Sequence, residues 1–433
     1  METEIAKRIH DHGGTAYYVG GYVRDKYWGI ESKDIDIEVF GIEQAKLEEI
    51  LEPFDANYVG KAFGVYMVGD IEISLPRKAE IKTGDKHTDF TVEIDPFLTL
   101  EQAALRRDFT INTGMVEVLG GNEFYPVDNY DLENKILRPT SHAFMEDPLR
   151  VLRGMQFISR FGLYPSQLAI NYSYAIKDKM FTLSSERIWG EWWKWAKGLH
   201  ADKGLNFLQA TGWIDNYTYL KKMVGFPQDL VWHPEGDVWT HSVLTVRGAC
   251  LHKNPILTLA ALLHDIAKPT TTEFGERITS KNHASEAELM VKAFLQHAPH
   301  DVMYAVVDLV REHMIHLNPP NKRTARRLLY RLQHAKWQDL QNLIKADHAA
   351  RPPLDPTEPA NSVKLFKLCQ EVEDSIAPIL QGRHLIEMGF EPGPKFGPAL
   401  NWVYECQLDG QVWDLESAKS QLKIGIESNV FTL

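Results

Sequence analysis

Cysteine is scarce. Three occur in 433 residues, Cys250, Cys369 and Cys406, far apart and odd in number, which excludes a disulfide framework and a cysteine-rich zinc site and suits a reducing compartment. Long hydrophobic runs are missing as well. The longest mainly apolar stretch, Ile256 to Leu263, is far short of the roughly 20 residues that cross a bilayer, and the opening METEIAKRIHDHGG has no apolar segment of the secretory kind. The expectation is a soluble, cytoplasmic protein with no membrane partner. Positive charge is in deficit: 47 Lys and Arg against 59 Asp and Glu leave a net charge of −12, so the mean field repels polyanions and a nucleic acid would need a local basic surface. No repeat of fixed period is visible, which sets solenoids and propellers aside. What remains is an ordinary globular composition, 44% hydrophobic and 24% charged, at a length suited to two to four domains of roughly 150 residues.

The hydrophobic period changes once along the chain. Up to about residue 140, short β-rich runs (AYYVG, DIDIEVF, GVYMVG, DFTVEI) alternate with glycine turns and short helical patterns, which predicts an α+β domain built on a sheet. Beyond it, DPLRVLRGMQFISRFG, SSERIWGEWWKWAKGL, HSVLTVRGACLH, ILTLAALLHDIAK, SEAELMVKAFLQHA and TARRLLYRLQHAKWQDLQNLIKADHA carry apolar residues three and four apart, the helical period. The four prolines of ARPPLDPTEPANS mark a linker, and a small helical tail follows it.

The run Val19-Gly20-Gly21-Tyr22-Val23-Arg24-Asp25 joins an apolar strand to a helix, a place where backbone N–H groups can point at a phosphate. Ten residues on, Asp34 and Asp36 lie two apart in a β-rich run, so their side chains share one face. Two neighbouring carboxylates repel unless a divalent cation lies between them, which suits Mg²⁺ and, through it, a nucleoside triphosphate. The plain alternative is a solvated strand face. A third carboxylate would complete a two-metal site, and Glu72 in an alternating strand is a candidate, although Asp70 shares its face.

These residues resemble the class II tRNA nucleotidyltransferases, the CCA-adding enzymes, with relatives among bacterial poly(A) polymerases. VGGYVRD, KDIDIEV, LRRDFTINTG, EDPLRVLRGMQFISRFG and SSERIWGEWWK occur in the family's order over the first 200 residues or so. The resemblance implies a polymerase-β-like nucleotidyltransferase head at 1–140, a helical neck for base recognition and RNA at 141–220, an HD metal phosphohydrolase-like domain at 221–350, and a linker with a helical tail at 351–433. It further implies that Asp34 and Asp36 are catalytic and bind Mg²⁺, and that Gly21, Arg24, Arg107, Asp108 and Asn112 contact the nucleotide. Asp147 and Arg150 would read the base in place of a template, with Arg153 a further nucleotide contact. On the residues alone, Asp147 before Pro148 is a helix N-cap and Asp108 caps a charged helix start. Arg187 is expected to order the base-reading helix, and the tryptophans at 189, 192, 193 and 195 are expected mainly to pack. The polar segment Pro76–Phe90 reads as a loop. It stands where family members carry the flexible loop needed for adding the terminal A, which favours CCA or A addition over CC addition.

A second metal site is expected in the helical half. His264-Asp265 sits in an apolar run, where a buried charge needs a partner or a metal, and with His241 before it and Asp347 after it the order resembles the HD metal phosphohydrolases, echoed by HPEGD at 233–237. The imidazole and carboxylate set suits Ni²⁺, Mn²⁺ or Co²⁺, or Mg²⁺, and implies a phosphatase or 2′,3′-cyclic phosphodiesterase. The basic run Lys322 to Arg331, together with the helices after residue 150, is the expected surface for tRNA. The partners implied are tRNA, CTP and ATP, and the sequence names no protein partner. Three activities fit: CCA addition, A addition or poly(A) synthesis at the same site, and an HD phosphohydrolase whose N-terminal half only binds RNA.

Overall fold

The computed structural model describes residues 1–32, 34–58, 64–82, 90–126 and 129–433, with side chains left aside at 79–82, 90–92 and 375. The chain forms two compact units, Met1–Tyr217 and Thr218–Leu433, and its class is α+β.

The first unit is organised by a seven-stranded mixed sheet. In chain order its strands are β1 (Thr15–Val19), β2 (Ile35–Phe40), β3 (Asn57–Tyr58), β4 (Val65–Val68) and β5 (Ile71–Ser74); β6 (Arg77–Lys82) and β7 (Phe90–Ile94) form a separate hairpin, and β8 (Met115–Glu117) and β9 (Glu123–Phe124) complete the sheet. The spatial order is β3-β4-β5-β2-β1-β8-β9, with β2 and β5 parallel and the other neighbours antiparallel. Strand alternation sorts the side chains. Ile37, Val39, Ile71 and Ile73 face a core closed by Ile5 and Ile9 of the helix Glu2–Asp11 and by Leu47, Ile50 and Leu51 of Gln44–Leu51. Asp36, Glu38 and Glu72 therefore look to the opposite face, where Phe40 and Val19 meet Ala103 and Ala104. The four β-rich runs expected from the sequence all hold strands.

Pro76–Phe90, expected as a loop, is a correction in part: β6 and β7 pair antiparallel from Arg77↔Ile94 to Lys82↔Phe90. The β-branched and aromatic residues of FTVEI favour a pleated partner, and a two-stranded ribbon tolerates charged side chains on either strand. The tip of the expected loop, residues 83–89, lies outside the described residues.

The sheet is followed by helices Leu149–Phe161, Ser185–Ala196 and Ala201–Ala210, the first packed on the other two. Gly162, at φ +71°, ends the first of them in the left-handed conformation. The tryptophans mostly pack, as expected: Trp192 and Trp195 are buried, with their ring N–H groups donating to Tyr217 Oη and the Ala201 carbonyl, both at 2.9 Å.

The second unit is helical. Pro255–Leu263 is buried on all sides from Leu257 onward, and it packs against Val238–Ala249, His300–Glu312 and Trp337–Ala349. Helix Ala360–Val372, past the proline linker, packs on Lys322–Arg331 and Trp337–Ala349. Leu385, Ala399, Val403 and Leu422 centre a separate apolar cluster in the tail. The three cysteines are buried and form no disulfide among the described residues. Among the described residues no helix is long and apolar enough to cross a membrane.

The basic run proves to be something other than an open cationic stripe. Arg323 and Arg327 donate to Asp409 at 2.8 and 2.7 Å, Arg327 also to Glu405 at 3.1 Å, and Arg326 to the Leu408 carbonyl at 2.8 Å. Arg331 forms a two-bond pair with Glu312, and Lys322 lies 3.5 Å from Glu371. The cations tie down the tail helix Phe396–Leu408 and its neighbours, so much of the positive charge on this helix is matched within the chain.

Candidate active sites

The first site grows from the β1 turn. Val19 ends the strand and Gly20 opens the helix Gly20–Tyr27 at φ +64°, a conformation that disfavours any side chain. Space is tight too: a Cβ at Gly20 would stand 3.1 Å from Arg107 Nη1, which would have to give by a few tenths of an ångström, and 3.4 Å from Asp36 Oδ2. The bare backbone thus comes within reach of the carboxylate on β2. Burial and the neighbouring Glu72 push the Asp36 carboxyl up to about 6, against the pull of Arg107. Asp34, just before the strand, is exposed and adds to that repulsion. Asp36 and Glu72 are register partners on β2 and β5. An electronegative cluster whose inner member resists ionisation is where a cation binds with gain.

All ten residues expected at the nucleotidyltransferase site, Gly21, Arg24, Asp34, Asp36, Arg107, Asp108, Asn112, Asp147, Arg150 and Arg153, line one cleft of about 640 Å³. Their arrangement is set by ion pairs. Arg107 donates to Glu38 at 2.9 Å and Arg153 to Asp108 at 2.8 Å, while Arg187 donates to Asp147 at 3.0 Å. Asp147 also accepts the Leu149 amide at 3.0 Å, so it caps the helix as the residue types predict and still faces the cleft. Arg150 is pinned by the carbonyls of Ala143 and Arg106 at 2.9 and 3.0 Å. Asp108 accepts the Phe109 amide and Asn112 Nδ2, both at 2.8 Å. Burial alone would raise its carboxyl, but Arg153, Asn112 and Arg150 outweigh that and hold it down at about 2.

Arg24 is placed differently from a simple phosphate clamp. It is 4% exposed, donates to Asp25 and to Asn112 Oδ1 at 2.7 Å, and lies over the rings of Phe157 and Phe161. Its guanidinium fixes Asn112 at the cleft wall. Arg77, Arg106, Gln156, Arg160 and Lys194 also line the cleft and were not singled out from the sequence. Arg160 and Lys194 stand on the cleft face of helices recognised as amphipathic, and that face was the available signal.

The second site lies in the helical unit. His241, His264 and Asp265 are at most 1% exposed, and Asp347 is brought beside them from a helix about 80 residues on. His241 Nε2 stands 3.0 Å from Asp347 Oδ1 and 3.7 Å from Asp265 Oδ2, which is 3.2 Å from His264 Nε2. All four expected ligands therefore meet. Glu235 of the HPEGD segment lies 2.6 Å from His241 Nδ1 and 2.9 Å from His233 Nδ1, so its carboxylate orients the ring and leaves Nε2 to the cluster. The Asp237 of the same segment caps Val238–Ala249. Both oxygens of Asp265 and Nε2 of His264 are buried without a well-aligned hydrogen bond among the described residues, and Lys268 Nζ lies 2.7 Å from Asp265 Oδ2. Buried donor atoms in excess of their partners, drawn from imidazole and carboxylate, fit a divalent transition cation. His283 and His313 join the cluster and were missed by the sequence reading; each follows or begins a helix segment with its ring turned inward, a signal that needs the packing to be seen.

These two sites define a class: a polymerase-type head joined to an HD domain. The family model for the poly(A) polymerase head domain matches residues 16–138 and that for the HD domain residues 238–369. The chain is 33% identical over 330 residues to the multifunctional CCA protein of Xanthomonas campestris pv. campestris strain B100, covering 73% of this chain and 79% of the relative. It is 30% identical over 402 residues to that of Vibrio parahaemolyticus, covering 89% and 95%. The chain belongs to the family of multifunctional CCA proteins. In fold it is similar to the Bacillus stearothermophilus CCA-adding enzyme in complex with CTP, with a TM-score of 0.64 at 19% identity over 98% of this chain and 97% of that one. It also resembles the Thermotoga maritima CCA-adding enzyme complexed with tRNA, with a TM-score of 0.61 at 17% identity over 98% and 94%.

Proposed function

We propose that the protein adds C, C and A to the 3′ end of tRNA from CTP and ATP, and that its HD unit is a metal-dependent phosphohydrolase. The observation that carries the first part is the convergence of ten residues, spread from 21 to 153, on one cleft beside a glycine turn and a carboxylate cluster. In the reaction the terminal ribose hydroxyl attacks the α-phosphate, its proton is lost, and the bond to pyrophosphate breaks. Asp34 and Asp36 would hold Mg²⁺, with Glu72 beside Asp36 as a third carboxylate, and the ion would supply charge neutralisation at the phosphates. The amide groups of Gly20 and Gly21 lie where a triphosphate can approach the backbone, and Arg107 adds positive charge. Asp147, an acceptor, is held by Arg187, and Arg150, a donor, by two carbonyls, and so the pair can select a base edge. Arg77, Arg160 and Lys194 give the cleft local cations for RNA phosphates against the chain's net negative charge.

At the HD site His241, His264, Asp265 and Asp347 would hold a divalent ion, Ni²⁺, Mn²⁺ or Co²⁺ by donor type, which would supply a water of lowered pKa for attack on a phosphate ester. A phosphatase and a 2′,3′-cyclic phosphodiesterase are the reactions proposed.

The decisive assay offers tRNA lacking CCA with CTP alone, ATP alone and both. CC addition with CTP and completion only with both supports the proposal. Addition of A to the unfinished end, or of long A tracts, replaces it with A addition or poly(A) synthesis. Absence of pyrophosphate release under all three conditions removes the nucleotidyltransferase reading.

A further inference from the structure

The loop that leads into the HPEGD segment carries a tip that its own packing does not explain. Leu230, Val231 and Trp232 are consecutive and exposed at 69%, 71% and 57%. Single exposed apolar residues are ordinary, whereas three in a row are costly in water and mark a contact surface. Looseness is not the reason for them. Pro227 pairs with Asp237 across the base of the loop, and the Val238 amide donates to the Phe226 carbonyl at 3.0 Å. At the tip Asp229 accepts three amides, that of Val231 on its carboxylate at 3.0 Å and those of Trp232 and His233 on its carbonyl at 3.1 and 2.8 Å. Asp229 and the backbone therefore set the turn, and polar side chains at 230–232 would serve it equally.

Both ends of that tip are tied to the HD cluster. Lys268 Nζ lies 2.7 Å from Asp265 Oδ2, donates to Gln228 Oε1 at 2.7 Å and stands 3.5 Å from His233 Nε2. The His233 ring meets the His241 ring edge to face, with centroids 4.7 Å apart. Consecutive Cα atoms are about 3.8 Å apart, so Trp232 stands one residue from a ring that touches the cluster. An exposed indole on a fixed turn gives up little freedom when a flat partner meets it. In a nucleotide the flat group lies one sugar away from the phosphate.

We propose that Trp232 is the specificity-determining residue of the HD site, stacking on the base of a nucleoside phosphate whose phosphate lies at the cluster. The proposal rests on the phosphohydrolase reading of this unit. It makes the loop select phosphate esters that carry a base over those that do not.

The test compares, in the full chain with Mn²⁺, hydrolysis of adenosine 2′-monophosphate and of glycerol 2-phosphate, both monoesters of a secondary alcohol. In Trp232→Ala the ratio of kcat/KM for the first to that for the second should fall roughly tenfold, the weight of one stacked base, with the fall in KM rather than kcat. Trp232→Phe should keep most of the ratio. An unchanged ratio in Trp232→Ala overturns the role of Trp232 and leaves the phosphohydrolase reading intact; hydrolysis of neither ester by the parent chain overturns that reading and the inference with it. A second readout needs no turnover. In the chain labelled with 5-fluorotryptophan, the fluorine resonance missing from Trp232→Phe should shift with adenosine 2′-monophosphate and stay in place with glycerol 2-phosphate. A resonance unmoved by both overturns the stacking, one moved equally by both overturns the base as its partner, and one that moves with protein concentration alone replaces the base by a second copy of the chain.

Discussion

In the head cleft most charged side chains already have a partner of opposite sign: Arg107 with Glu38, Arg153 with Asp108, Arg187 with Asp147. In the HD cluster the carboxylates and imidazoles face one another, with Lys268 the one fixed cation among the described residues. The cleft is broad and its ion pairs orient arms that must meet a large, departing polyanion. The cluster is closed, and its donors are left for something small that stays. Pairing builds a site for a substrate, whereas withheld pairing builds a site for an ion.

The contrast can be broken most forcefully at the proposed metal ligands. Asp36→Ala should lower nucleotidyl transfer by more than about a thousandfold while Mn²⁺-dependent hydrolysis of a phosphate ester is unchanged. Asp265→Asn should do the reverse. Loss of both activities in either variant, at unaltered melting temperature, would mean the two sites are not separable. A smaller effect concerns Asp108. Its carboxyl lies at about 2, below the ordinary 3.8, so its stabilisation is complete above pH 4 and is lost as the pH falls through 2. That amounts to about 2 kcal/mol, and urea unfolding across this window should flatten by about that amount in Asp108→Asn.

Smaller again is Arg187→Ala. With Asp147 no longer held, preference for CTP over UTP should fall roughly tenfold, or about 1.4 kcal/mol, in single-turnover incorporation, with hydrolysis at the HD site unaffected. The mildest change is Arg327→Ala, which loosens the exposed clamp to Asp409 and Glu405 and should cost roughly 1 kcal/mol or less in unfolding without reducing tRNA affinity. A marked loss of tRNA binding would restore that helix as an RNA surface.

Much of the cleft was legible because it follows local rules. The two-residue period of β2 put Asp36 on one face, the glycine pair marked the turn, and Asp147-Pro148 marked a helix start, all before any packing was known. Arg24 was less legible. Its position was right, but its engagement with Asn112, 88 residues away, depends on how the helix Gly20–Tyr27 lies against the sheet. The strand Arg77–Lys82 was missed within the Pro76–Phe90 segment because a charged strand lacks the apolar alternation that usually reveals one.

The order of residues sufficed to set the α+β division, the helical period beyond residue 140 and the four residues that meet in the helical cluster, since periodicity and short motifs act over a few residues and survive without tertiary context. Folding alone settled which charge met which. It drew Glu405, Asp409 and Glu312 onto the arginines of Lys322–Arg331 and turned His283 and His313 toward Asp265. Electrostatic pairing depends on separations of a few ångströms between groups far apart in the chain, and such distances exist only once the helices have packed.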